Sequence, residues 1–208
     1  MYTGGMPTII DCNVVLVPSM ELTDRAVALS NQLQSRGTLF CLEQGRFDPH
    51  VSLYMLPLRD TDLPSARERL ESVVGTLTLL TLSAHRYYKS RGYFDAEYVR
   101  TDTLDGLQMT IVEALNPLRQ GMRDNDTHKL DSVTGAMRQS LEMYGYGYVG
   151  ETFRPHLTLT RFMDDTEIDT ADLPPVASFD GTYGALALYR LGENGTCTLE
   201  LMRLPFNT

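Results

Sequence analysis

The stretch RFDPHVSLYM at residues 46–55 has a counterpart in TFRPHLTLTR at residues 152–161. Both read Phe, any residue, Pro, His, aliphatic, Ser or Thr, Leu, and nothing else in the chain resembles either copy. The proline before each histidine suits a strand's first residue and holds Asp48 and Arg154 extended. Side chains alternate faces along a strand. His50, Ser52 and Tyr54 therefore share one face, with Val51, Leu53 and Met55 on the other. The second copy sets His156, Thr158 and Thr160 against Leu157 and Leu159. In each copy the apolar face can pack on a helix while the polar face looks into a groove.

Histidine gives or takes a proton near neutral pH, so two of them facing one phosphodiester form a general acid/base pair. One removes a proton from the attacking water or hydroxyl, and the other protonates the departing oxygen. Ser52 and Thr158, on the same faces, are placed to donate hydrogen bonds to the non-bridging phosphate oxygens. Such a site calls for no metal and no cofactor. A bare His-x-Ser/Thr match arises easily by chance in a chain with four histidines. The shared Phe and Pro upstream and the matching aliphatic alternation make two such copies a signal.

Outward from the motifs, strands and helices alternate without strict βαβ order, which predicts an α+β fold with mostly antiparallel sheets. Thr8 to Val17 reads as a central strand ending at Pro18, preceded by a loose leader at Gly4-Gly5. Leu22, Ala26, Leu29 and Leu33 mark a helix with Thr23 or Asp24 as cap and Gly37 as stop. Thr38 to Leu42 leads into the first motif strand, His50 to Leu56, closed by Pro57. A helix from Leu63 carries Pro64 in its first turn. Leu77 to His85 and Tyr93 to Arg100 read as strands around the basic turn Lys89 to Gly92. Leu104, Leu107, Ile111, Leu115 and Leu118 mark a third helix. Residues 120–150 read as an insertion containing a helix opened by Asp131 and ended by Gly145. An acidic stretch from Asp164 and Asp165 to Asp172 follows the second motif strand, His156 to Phe162. Tyr183 to Leu191 and Thr196 to Leu204 form a closing hairpin around Asn194-Gly195, the strongest local turn signal in the chain.

At the two motifs the sequence resembles the 2H phosphoesterase superfamily, which includes bacterial 2′-5′ RNA ligase-like proteins and cyclic nucleotide phosphodiesterases. That superfamily carries two His-x-Ser/Thr motifs, matched by HVS at 50–52 and HLT at 156–158. PHLTLTR is close to its usual Pro-His-aliphatic-Thr-Leu-x-Arg. The resemblance covers most of the chain except 120–150. It implies one bilobal, pseudo-symmetric domain over residues 1–208, with a sheet and a motif in each lobe and the site in the central cleft. It also implies metal-independent opening of 2′,3′-cyclic phosphates, or cleavage or ligation of 2′-5′ phosphodiesters. By the same resemblance His50 and His156 are acid and base, and Ser52 and Thr158 bind phosphate, with the assignment of acid and base left open. A non-catalytic module holding a nucleotide or RNA end in the same cleft is the alternative.

The net charge of −9 and pI near 4.9 speak against a long nucleic acid, whose binding draws on a basic surface. A small phosphorylated nucleotide or an oligonucleotide end remains a fitting partner for a local basic cluster. The chain is read as a monomer. No apolar run is long enough to span a membrane, and the N-terminus lacks a signal peptide's basic region. Cys12, Cys41 and Cys197 show no CxxC spacing, which indicates a reducing, cytoplasmic setting and no disulfide frame.

Arg161 ends the second motif where an arginine could neutralise phosphate, although strict alternation turns it away from the groove. Tyr54 has the parity to stack on a base or to form the groove wall. Lys89 and Arg91 read as an exposed basic turn that could guide an anionic substrate, and Tyr144 to Tyr148 as a helix end whose aromatic faces could stack on a base or form a lid. His85 lacks a hydroxyl residue two positions on and reads as structural. Asp124, Asp126 and His128 lack the glycine and closing glutamate of a calcium loop.

Overall fold

The computed structural model describes residues 7–164 and 167–207. The Gly4-Gly5 leader and Asp165 lie outside them. β1 (Ile9–Pro18) is the expected β-branched strand. Ser19 accepts a hydrogen bond from Leu22 N at 3.4 Å and opens α1 (Met20–Leu33), with Leu22, Ala26, Leu29 and Leu33 buried. The cap is Ser19 rather than Thr23 or Asp24, because Met20 and Glu21 already belong to the first turn. β2 (Thr38–Cys41), β3 (Val51–Arg59) and α2 (Leu63–Val74) follow. Next come β4 (Leu80–Leu82), β5 (Ala84–Ser90), β6 (Tyr93–Tyr98) and α3 (Asp102–Leu115). The rest is α4 (Asp124–Thr127), α5 (Gly135–Tyr144), β7 (His156–Phe162), β8 (Gly181–Leu191) and β9 (Cys197–Pro205).

The architecture is α+β, and every strand ladder is antiparallel. The strands run in the order β4-β8-β1-β3-β7-β6-β5, with β9 also on β8 and β2 also on β7. The two expected sheets are present as the halves of one sheet. One half holds β1, β3, β4, β8 and β9, and the other β2, β5, β6 and β7. Among the described residues they join through the single pair Val51↔Leu157. These residues directly follow the motif histidines. Counting outward in an antiparallel register sets Ser52 across from His156 and His50 across from Thr158, all on one face. The other face carries the helices, with α1 against β7, α3 against β3 and α2 against β9.

Four local expectations change. The run Leu77 to His85 is not one strand: the chain leaves β8 at Leu82 and joins β6 at Ala84, so the partner changes at Ser83. β5 then continues through Lys89 and Ser90, which narrows the turn to Arg91 and Gly92. Pro57 does not close β3. It pairs with Asp11 of β1 while the opposite edge there has no partner strand, so its missing N–H costs no ladder bond. The helix expected from Asp131 begins at Gly135 after an extended Thr134, because Lys129 to Val133 is spent on a turn.

A second link ties the halves together. Tyr183 of β8 donates to the Tyr98 hydroxyl of β6 at 2.7 Å, and Tyr98 donates to Phe179 O at 3.2 Å. Both rings are fully or almost fully buried. Tyr98→Phe leaves the buried Tyr183 hydroxyl without its acceptor and is expected to cost about 1–3 kcal/mol. Urea unfolding of the variant checks this, and an unchanged midpoint would deny the link any weight.

Candidate active site

Each motif strand carries a β-bulge at the same place. On β3, Ser52 pairs with Val15 and Tyr54 with Val14, so Leu53 is the extra residue. On β7, Thr158 pairs with Asp95 and Thr160 with Phe94, so Leu159 is the extra residue. A bulge reverses the alternation beyond it. Met55 and Arg161 therefore turn into the cleft, while Tyr54 and Thr160 turn into the protein. Tyr54 is thus neither a stacking platform nor a groove wall. It is fully buried, its hydroxyl 2.8 Å from Tyr144 O and 3.0 Å from Asn116 Oδ1. Thr160 donates to Phe40 O at 2.6 Å. Arg161 lies 4.7 Å over the Tyr93 ring and donates to Asn194 Oδ1 at 2.7 Å. Asn194 comes from the expected β8–β9 turn, where its φ of 58° and the 73° of Gly195 require the left-handed region.

His50, Ser52, His156, Thr158 and Arg161 line one cleft of about 570 Å³. Each imidazole is held by the carbonyl two residues before it: Nδ1 of His50 is 2.7 Å from Asp48 O, and Nδ1 of His156 is 2.6 Å from Arg154 O. A carbonyl only accepts, so both Nδ1 atoms carry the proton and both neutral rings leave the Nε2 lone pair for a ligand. The intervening Pro49 and Pro155 keep Asp48 and Arg154 extended, which aims those carbonyls. Burial pushes the His50 pKa below its ordinary 6.5, and a charge on His156 pushes the same way. The hydrogen bond to Asp48 O and the Asp48 carboxylate oppose the shift without reversing it.

The two hydroxyls are not equivalent. Asn13 Nδ2 donates to Ser52 Oγ at 2.8 Å, which leaves the serine proton for a ligand. Thr158 Oγ1 donates its proton to Asp95 Oδ1 at 2.8 Å. Asp95 is fully buried, takes a second bond from Arg154 Nη2 at 2.8 Å, and lies 4.0 Å from His156 Nε2. Arg154 also reaches Glu97 at 3.1 Å. Asp95, Arg154 and Asn13 were missed in the sequence. The signal for Asp95 was present as two carboxylates, Asp95 and Glu97, on one face of an otherwise apolar strand.

Segment 120–150 builds one wall of the cleft. Arg123, Asn125 and Lys129 line it, as do Tyr146 and Tyr148 beyond α5. Asp126 is buried between Arg123 and Lys129, the latter at 2.7 Å, so it is held by cations on both sides. Arg91, Arg123, Lys129, Arg154 and Arg161 line the cleft against Asp48 and Asp95. A chain of net charge −9 thus concentrates positive charge here. Of the turn residues, Arg91 reaches the cleft, whereas Lys89 Nζ contacts Asp164 O at 3.3 Å and the Phe162 ring at 5.2 Å. His85, on β5, lies outside it, 3.4 Å from Glu97 of β6. Among the described residues no group of three or more His, Cys, Asp or Glu side chains could hold a metal ion. No described helix is long and apolar enough to cross a membrane.

A family model described as Protein of unknown function (DUF1045) matches residues 59–179, which include the second motif but not the first. No curated protein matches the chain. Among solved structures, LigT of E. coli complexed with NADP+ has a TM-score of 0.56 at 13% identity, covering 97% of this chain and 100% of LigT. LigT complexed with 3′-AMP gives 0.56 at 14% identity, over 98% and 100%. TT0787 of Thermus thermophilus gives 0.60 at 14% identity, over 95% and 98%. At such identities the likeness is one of fold, and it is the 2H phosphoesterase-like fold the motifs implied.

The lowered pKa gives a direct check. NMR titration is expected to show His50 less than half charged at pH 6.5, where an ordinary histidine is half charged. Unfolding at pH 6.5 frees His50 to bind a proton, so its contribution to stability is intact above that pH and is lost as pH falls below it. His50→Gln should flatten that part of the stability profile.

Proposed function

This chain belongs to the family described as Protein of unknown function (DUF1045), and we propose that it is a metal-independent phosphodiesterase acting on a small nucleotide, a 2′,3′-cyclic phosphate or a 2′-5′ linkage. One observation carries the reading. Two imidazoles line one basic cleft, each with Nδ1 tied to a carbonyl and Nε2 left for the ligand. LigT is similar in fold and has been solved with NADP+ and 3′-AMP, and both ligands carry phosphate. That supports a phosphate-bearing ligand here.

In the proposed reaction one neutral imidazole takes a proton from water as the water oxygen bonds to phosphorus. The P–O bond to one ribose oxygen breaks, and the other, protonated imidazole gives its proton to that oxygen. A cyclic phosphodiester and water thus become a phosphomonoester with a free hydroxyl. Ser52 donates to a non-bridging oxygen, and Arg161 offers charge from the same face. Tyr146 and Tyr148 provide aromatic surface for a base.

Incubation with 2′,3′-cyclic nucleotides and 2′-5′ oligonucleotides, followed by ³¹P NMR, is the test. Turnover is expected to survive EDTA, and His50→Ala or His156→Ala should each lower kcat/KM by about 10²–10⁴-fold. Nucleotide that raises the melting temperature without forming product would contradict the enzyme and favour a binding module.

A further inference from the structure

The two motifs repeat each other in fold but not in charge. Ser52 is steadied by the neutral amide of Asn13, whereas Thr158 is steadied by the carboxylate of Asp95. We propose that Asp95 is a positioning residue that makes the two motifs unequal, holding the Thr158 hydroxyl as an acceptor and supplying the counter-charge for a proton on His156. His156 is then the general acid, and His50 the general base. The inference rests on the phosphodiesterase reading and deepens it by giving each side chain one role.

The geometry carries the argument. A hydroxyl has one proton, and that of Thr158 is spent on Asp95 Oδ1 at 2.8 Å, so lone pairs alone face the cleft. Ser52 Oγ accepts from Asn13 and keeps its proton for an anion. The two are opposite in polarity despite matching places beside their bulges. Asp95 Oδ2 stands 4.0 Å from His156 Nε2, an ion-pair distance once that ring is protonated. At His50 no carboxylate lies within ion-pair distance among the described residues; the Asp48 carboxylate favours a charge there from farther away, and a charge on His156 works against it.

The other charged groups around the cluster fit this division. Arg154 bonds both Asp95 and Glu97, and Glu97 also meets His85 and Arg86 from β5. Arg161 faces the cleft from β7, and His50 faces it from the other half. Arg123 and Lys129 face it from segment 120–150 with Asp126 between them. Asp95 is thus the carboxylate within ion-pair reach of His156 among the described residues. In the step itself His50 Nε2 accepts the water proton while His156 Nε2–H passes its proton to the departing ribose oxygen. The two rings exchange protonation states, and solvent resets them.

The test is Asp95→Asn, close to isosteric, read first without substrate. Imidazole NMR is expected to show the His156 ring resonances moving in the variant, with a smaller movement at His50. An unmoved His156, or a larger shift at His50, overturns the proposal. In the kinetic arm the alkaline limb of the kcat/KM profile should move to lower pH in the variant. A slower enzyme with an unmoved limb would mean a merely structural role and overturns it too. A wild type without turnover overturns the phosphodiesterase reading by itself, while the NMR arm still decides whether Asp95 pairs with His156. If Asp95→Asn does not fold, Ser52→Ala and Thr158→Val ask the same question. Ser52→Ala should raise KM about tenfold or more, whereas Thr158→Val should act on kcat and change KM less than about threefold. Equal rises in KM would make both hydroxyls phosphate donors and overturn the asymmetry.

Discussion

The site depends on one backbone pairing, Val51 with Leu157. Each residue follows a motif histidine, and an antiparallel pair there puts four motif side chains on one face of the sheet. A slip of one residue would send either motif's His and Ser/Thr to the opposite face, into the apolar core. A single pair is a weak joint, and the fold reinforces it away from the cleft. The Tyr98–Tyr183 hydrogen bond and a core cluster drawn from both halves do that work. The separation of the imidazoles is therefore set by packing on the far face of the sheet.

The repeated bulge is the second constraint. A regular strand would present Tyr54 and Thr160 to the ligand, whereas the bulges at Leu53 and Leu159 present Met55 and Arg161. The two halves thus share an irregularity as well as a motif. They differ in what stands beside the hydroxyl: an amide on β1, a carboxylate on β6. A pseudo-symmetric frame with an unsymmetric charge pattern suits a reaction in which a proton enters on one side and leaves on the other.

Much of this was legible in the residues. The β-branched run of β1, the 3.6-residue spacing of α1 and α3, the Asn194-Gly195 turn and both histidines stood out because their signals are local. Strand parity was misleading for Tyr54 and Arg161, since the alternation of apolar residues does not reveal a bulge. The division between β4 and β5 was hidden because both are extended and only their partners differ. Asp95 and Asn13 gain meaning only from the strand opposite. Segment 120–150 read as an insertion outside the resemblance, the part on which the choice of ligand would turn. Its Arg123, Lys129, Tyr146 and Tyr148 reach the cleft through contacts that sequence spacing does not encode.

The central claim is that both Nε2 atoms address one phosphate. Titration of ¹⁵N-histidine-labelled protein with inorganic phosphate measures it most directly. The account predicts that the Nε2 resonances of His50 and His156 move together along one binding curve, while both Nδ1 resonances, tied to Asp48 O and Arg154 O, move little. Movement of one ring alone, or two curves of different affinity, would contradict it.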